Sequence, residues 1–180
     1  MRLIVKSAVA ALMLMWTLSA PAQAAGDPEN TLFLDLGYGR VVIELRPDLA
    51  PKHVKRIKSL VREGFYDGHI FHRVIAGFMA QTGDPTGTGT GGSIYPDLRQ
   101  EFNNEPFERG SLGMARSQHP DSANSQFFIC FETASHLNNQ YTNWGKVVEG
   151  MDFVDQIQIG SPPQNPDKIV RVQVAADVEE

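Results

Sequence analysis

The chain has 180 residues, with 21 acidic against 16 basic side chains and a net charge of −5. That balance excludes a surface built to neutralise nucleic-acid phosphates, which needs an excess of Lys and Arg. The single cysteine, Cys130, excludes an intramolecular disulfide, so the core has to supply the stability.

The first segment reads as a targeting signal. Arg2 and Lys6 make a basic start, Ala8 to Trp16 an apolar stretch, and Ala22-Gln23-Ala24 a small-residue cleavage site. The stretch falls short of the ~20 residues that span a bilayer, and no later segment is longer and as apolar. Residues 1–24 are therefore expected to be a cleaved signal peptide and 25–180 a single domain without a membrane span. Cleavage removes two of the 16 basic residues and none of the 21 acidic ones, taking the net charge from −5 to −7. No cysteine stands at the cleavage site to carry a lipid, so the expected destination is the periplasm, with secretion as second choice.

Thr31 to Leu36 and Arg40 to Leu45 are β-rich and joined by Gly37-Tyr38-Gly39, a hairpin signal. Pro51 opens a helix with Val54, Ile57, Leu60 and Val61 on one face, and Gly64 ends it. Its opposite face, Lys52, Lys55, Arg56, Lys58 and Arg62, reads as a solvated basic face. Short strands are expected at Ile70 to Ile75, Met79 to Gly83, Ser111 to Met114, Gln126 to Phe131, Asn143 to Val148 and Ile169 to Val174. A second helix fits Met151 to Gln158, whose Met151, Val154 and Ile157 recur at helical spacing before Gly160. Cys130 closes an apolar run and reads as a small buried hydrophobe. Many short strands and two helices point to an all-β domain, and composition alone leaves barrel and sandwich open.

Three patterns suggest chemistry that their context denies. Gly87, Gly89 and Gly92 spell the spacing of a dinucleotide loop, yet Pro96 and no helical pattern follow. His69 and His72 stand at an odd separation along an expected strand, which sends them to opposite faces, and His53, His119 and His136 lack ligand spacing, so no metal is expected. Ser117-Gln118-His119-Pro120-Asp121 lacks the strand-turn-helix elbow of a nucleophilic serine and reads as a polar loop.

The run Phe71-His72-Arg73-Val74-Ile75-Ala76-Gly77-Phe78-Met79-Ala80-Gln81-Thr82-Gly83-Asp84 sets one fixed cation and one amide among large apolar side chains. That mixture suits gripping an apolar residue and aiming donors at its backbone. It resembles the signature of the cyclophilins, the peptidyl-prolyl cis/trans isomerases. Further matching blocks follow in that family's order: Gly83-Asp84-Pro85-Thr86-Gly87-Thr88-Gly89, Ser111-Leu112-Gly113-Met114-Ala115, Asn124-Ser125-Gln126-Phe127-Phe128-Ile129 and Gly145-Lys146-Val147-Val148-Glu149-Gly150-Met151. The resemblance spans most of the chain after residue 30 and implies a closed eight-stranded antiparallel β-barrel capped by two α-helices.

It also implies a catalytic set and a substrate groove, neither of which needs a cofactor. Rotation about a peptide bond faces a barrier of about 20 kcal/mol, because the nitrogen lone pair is delocalised into the carbonyl. Twisting the bond frees that lone pair, so a guanidinium aimed at the proline nitrogen binds the twisted amide better than either planar isomer. By resemblance Arg73 takes that role, with Gln81 binding substrate backbone and Phe78 completing the catalytic set. Met79, Phe128 and Leu137 match the apolar positions around the proline ring, and Ala115 and Arg116 match the adjoining groove. Gln81 lies two residues past Met79, so strand alternation puts both on one face.

Two positions depart from the family's best-known pattern. Counted from Phe128, the usual tryptophan falls on His136 and the usual pocket histidine on Tyr141. Tyr141 keeps an aromatic wall, whereas His136 loses apolar area, so the inhibitor cyclosporin is expected to bind weakly. The expected partners are proline-containing segments of unfolded or exported proteins, met by a monomer. The rival reading is a module that binds the same segments without catalysis mattering.

Overall fold

The computed structural model describes residues 26–178, so the expected signal peptide lies outside the described residues. Eight antiparallel strands form one sheet: β1 (Thr31–Leu36), β2 (Gly39–Leu45), β3 (Arg73–Ile75), β4 (Met79–Thr82), β5 (Ser111–Met114), β6 (Phe127–Cys130), β7 (Asn143–Glu149) and β8 (Ile169–Val174). Their spatial order is β3-β4-β6-β5-β7-β2-β1-β8. β1 and β2 form the expected hairpin, with Leu36 opposite Gly39 across the two-residue turn Gly37-Tyr38.

The sheet curls without closing, which corrects the expected closed barrel. Its two edges, β3 and β8, share no ladder; the chain just ahead of β3 meets the start of β8 through the bridge Ile70–Lys168 and the backbone hydrogen bonds of Gly68, His69 and Phe71 with Asp167 and Ile169. The reason lies in the backbone of Val74, whose N–H and C=O are both taken by Gly160, at 2.7 and 2.9 Å. With Gly160 occupying the free edge of β3, β8 has nothing left to pair with there.

The helix α1 (Pro51–Arg62) packs Val54, Ile57, Leu60 and Val61 into the core, the face its periodicity announces. Pro51 stands at its first position, where the missing N–H costs nothing. Ala50 offers no side-chain cap, and the orphan N–H groups of Lys52 and His53 are instead met by Glu101, at 3.0 Å each to Oε2. The basic face is less solvated than expected: Lys58 and Arg62 pair with Glu29, and Arg62 also with Asp177, tying both ends of the domain to α1.

The second helix is shorter than its spacing suggests, with α2 spanning only Met151–Val154. Beyond it the chain tightens into three-residue hydrogen bonds, Gln156 N to Phe153 O and Ile157 N to Val154 O. Asp167 Oδ2 then accepts from Gln158 N at 2.7 Å and draws the backbone away. Val154 and Ile157 are still buried, so the apolar periodicity reported burial correctly and overstated the α-helix.

Most of the core fills the inside of the curl, with Leu32, Ile43, Leu112, Phe127, Ile129 and Trp144 among its members. A second cluster of Met79, Phe107, Phe128, Cys130, Ala134 and Leu137 lies on the other face of the sheet. Strand β6 serves both, since alternate residues point to opposite faces: Phe127 and Ile129 inward, Phe128 and Cys130 outward. This is why Phe127 to Cys130 is apolar without interruption. Burial pushes the Cys130 thiol up to about 12, in keeping with an inert buried hydrophobe.

Candidate active site

The second cluster is the floor of a surface cavity of about 420 Å3. Arg73, Phe78, Met79, Gln81, Ala115, Arg116, Phe128, His136, Leu137, Gln140 and Tyr141 line it. All ten residues expected for catalysis and substrate binding are thus brought together, although they come from five separate stretches of chain. Only Gln140 is an addition.

The sheet places the central members in one transverse row. Arg73 stands opposite Gln81, Gln81 opposite Phe128, and Phe128 opposite Gly113, across three successive strand pairings. Residues paired across neighbouring strands project to the same face, so a cation, an amide and an apolar ring are aligned side by side. Gly113 is the member that sequence reasoning passed over. A Cβ there would overlap the Phe128 ring and come within 2.7 Å of Phe107 Cε1, so only glycine lets Phe128 lie across the floor. A glycine inside an apolar strand signals such a close approach.

Arg73 is half-buried and makes no ion pair among the described residues. Its Nη1 donates to Gln81 Oε1 at 3.2 Å and lies 3.7 Å from Met79 Sδ. Gln81 Nε2 in turn donates to Gln126 Oε1 at 2.9 Å, and Gln126 Nε2 donates to the carbonyls of Gly89 and Gly91. Gln126 was also missed, and its signal was available, since it stands two residues before Phe128 on the same face.

The relay ends on a buried carboxylate. Asp84 accepts from the backbone N–H groups of Thr86, Gly89 and Gly91 and from Thr86 Oγ1. Burial alone would raise its pKa, but those hydrogen bonds outweigh it and hold the group at about 2. The glycine spacing around residues 87–92 therefore belongs to a loop wrapped on Asp84, with Gly87 and Gly89 at positive φ, and not to a dinucleotide site.

The far wall is aromatic and cationic. Tyr141 meets Phe128 edge-on with ring centroids 5.9 Å apart, and the Arg116 guanidinium lies 4.5 Å over the Tyr141 ring. At the opposite rim exposed His136 leans on Phe78, their centroids 5.1 Å apart. A second cavity of about 530 Å3 continues past Arg116, lined by Gly89 to Ser93, Asp97, Ser117, Ser122, Asn124 and Gln126. It shares Gln81, Ala115 and Arg116 with the first, so the two form one groove.

Neither the histidines nor the serine loop forms a rival site. His53 lies against Glu101, His69 is half-buried among aromatic rings, and His72 is buried, the last two both within the field of Asp84. Among the described residues no three His, Cys, Asp or Glu side chains gather as metal ligands. Ser117 Oγ donates to Ser122 Oγ and not to an imidazole.

Residues 32–174 match the family model for cyclophilin type peptidyl-prolyl cis-trans isomerases. The chain belongs to that family. It is a peptidyl-prolyl cis-trans isomerase of cyclophilin type. A Brucella suis protein named "Probable peptidyl-prolyl cis-trans isomerase" is 58% identical over 170 residues, covering 86% of this chain and 87% of the relative. Peptidyl-prolyl cis-trans isomerase B of Bacillus subtilis is 44% identical, covering 67% of this chain and 85% of that enzyme. Among solved structures, a cyclophilin from Hirschia baltica superimposes with a TM-score of 0.79 at 30% identity, covering 85% of this chain and 76% of its own. A Cryptosporidium parvum cyclophilin solved in the presence of the dipeptide Ala-Pro gives a TM-score of 0.74 at 32% identity, covering 80% and 98%.

Proposed function

We propose that this cyclophilin accelerates X-Pro isomerisation in extended segments of unfolded proteins delivered to the periplasm. Met79, Phe128 and Leu137 capture the proline ring, with Phe78 closing one side. Arg73 donates to the proline nitrogen once the amide is twisted, an interaction neither planar isomer can make. Gln81 holds substrate backbone while its side chain fixes the guanidinium at 3.2 Å. The observation that carries this reading is the row Arg73, Gln81, Phe128, which sets the cation beside the apolar floor at the reach of one residue.

No step calls for a nucleophile or a proton transfer, so nothing in the site has to titrate near neutral pH. Arg suits the task because its charge persists and its planar fork is directional. The Ala-Pro dipeptide accompanying the Cryptosporidium structure is the ligand chemistry this pocket would take. A protease-coupled isomerisation assay over a panel of X-Pro peptides tests the reading. Tight peptide binding without rate enhancement would instead make the domain a proline-directed binding module.

Export is the second half of the proposal, supported by Arg2, Lys6, the apolar stretch from Ala8 to Trp16 and Ala22-Gln23-Ala24. Intact mass of the protein recovered from the exported fraction should match a chain starting at Ala25 or within a few residues of it. Recovery of Met1 in a membrane pellet would overturn it.

A further inference from the structure

Arg116 stands where the two cavities of the groove meet and lines both. Its guanidinium is held in place: Nε and Nη2 donate to Gln140 O, and Nη1 to Ser117 O and Gln118 O. The ring of Tyr141 lies on one side at 4.5 Å and that of Phe102 at 5.7 Å. All its partners are carbonyls and aromatic faces, and among the described residues no carboxylate lies within ion-pair distance of it. A fixed, unneutralised cation therefore borders the path of any segment that runs from the proline pocket into the second cavity.

The geometry points to Arg116 as a specificity residue that favours an acidic side chain at the client position crossing this junction. The inference rests on the isomerase reading of the groove. Because hydrogen bonds and stacking already immobilise the guanidinium, a client carboxylate gains the charge attraction without paying to order it. The preference is local. Asp97 lines the second cavity and accepts from Asn124 Nδ2 at 3.0 Å, so an acidic side chain carried further in meets like charge. Arg73 also lacks a carboxylate partner and adds to the positive character of the first cavity. A basic client residue at the junction is disfavoured on the same grounds.

The test is a set of X-Pro peptides carrying Glu, Gln or Lys at each position flanking the proline. Dissociation constants come from calorimetry, and isomerisation rates from NMR exchange, which needs no protease. One position should show Glu over Gln over Lys, by roughly twofold to fivefold per step at low ionic strength, as expected for a partly exposed charge pair. The ranking should shrink in about 1 M salt, where the Debye length is about 3 Å. Within Arg116→Gln the Glu-to-Gln ratio should collapse to about one, and Arg116→Lys, which keeps the charge and loses the stack, should retain part of it. Reading ratios within each variant separates charge from any loosening of the Tyr141 wall. Equal affinity for all three residues at every position overturns the inference, as does a ranking that survives Arg116→Gln. Rapid exchange with flat affinities removes the specificity and keeps the isomerase, whereas ranked affinities without rate enhancement do the reverse.

Discussion

Gly113 and Phe128 face each other across the β5–β6 pairing with no room for a side chain on the glycine. The floor of the cavity lies as it does because one residue of the row has no Cβ. Gly113→Ala should push the Phe128 ring toward the cavity, costing about 1–3 kcal/mol of stability as an overpacked site and raising KM for proline peptides. Thermal unfolding and steady-state kinetics on the same sample check it. An alanine variant with unchanged Tm and KM would mean that the ring turns aside freely.

Arg73 should matter to the twisted state far more than to binding. Arg73→Ala is expected to lower kcat/KM by roughly two to three decades, equivalent to ~3 to 4 kcal/mol of transition-state stabilisation. Peptide affinity should change much less, because the apolar floor is untouched. Activity within a factor of about three of wild type would remove Arg73 from the catalytic role.

The legibility of this chain was uneven for physical reasons. Strand positions followed from alternation and apolar runs, and Phe127 to Cys130 was readable because burial on both faces erases the polar half of the pattern. Closure was not readable, since it turns on Gly160 taking both backbone groups of Val74, a long-range choice that leaves no mark in local periodicity. The length of α2 failed similarly, because Asp167 captures Gln158 N from outside the helix. At the site, the ten expected residues converge on one cavity, Gly113 acts through Phe128, and Gln126 both holds Gln81 and lines the second cavity. Both left a local signal, a glycine inside an apolar strand and a glutamine two residues before Phe128, but their partners follow only from the register.

Glu101 and His53 should make the fold sensitive to mild acid. Glu101 Oε2 lies 2.7 Å from His53 Nδ1 and also caps α1, while His53 Nε2 is buried without a partner. Burial lowers the His53 pKa below 6.5 more than Glu101 raises it, and burial likewise lowers that of His72 despite the nearby Asp84. Both histidines thus hold a proton less readily when folded than when unfolded, so the unfolded chain takes up protons first as the pH falls. Stability is then full above about pH 6.5 and falls as the pH drops toward the lowered folded values. Asp84, held at about 2, works in the same direction only far lower, so the glycine loop outlasts the histidine latch. Tm should fall between pH 7 and pH 5, and less steeply in His53→Gln. Glu101→Gln should cost about 1–2 kcal/mol at pH 7 through the weakened cap. Parallel slopes for wild type and His53→Gln would clear His53 of the effect.

His136 sets the expected response to cyclosporin. In sensitive cyclophilins the drug packs on a tryptophan and accepts a hydrogen bond from its indole, and the position matching that tryptophan here carries an exposed imidazole leaning on Phe78. The imidazole offers a smaller apolar face, and any charge on it is costly to cover with an apolar ligand. A deficit of some tens of Å2 at ~25 cal/mol per Å2 amounts to about 1 to 2 kcal/mol, or roughly one decade of affinity, before any hydrogen-bond loss. Peptide turnover should suffer less, because the residues proposed to hold the proline, Arg73, Gln81, Met79 and Phe128, are unchanged by a substitution at the rim. His136→Trp should therefore tighten cyclosporin by a decade or more on that estimate while leaving kcat/KM nearly unchanged. Calorimetry on the two forms decides the matter: equal affinities would detach the drug from this rim of the groove.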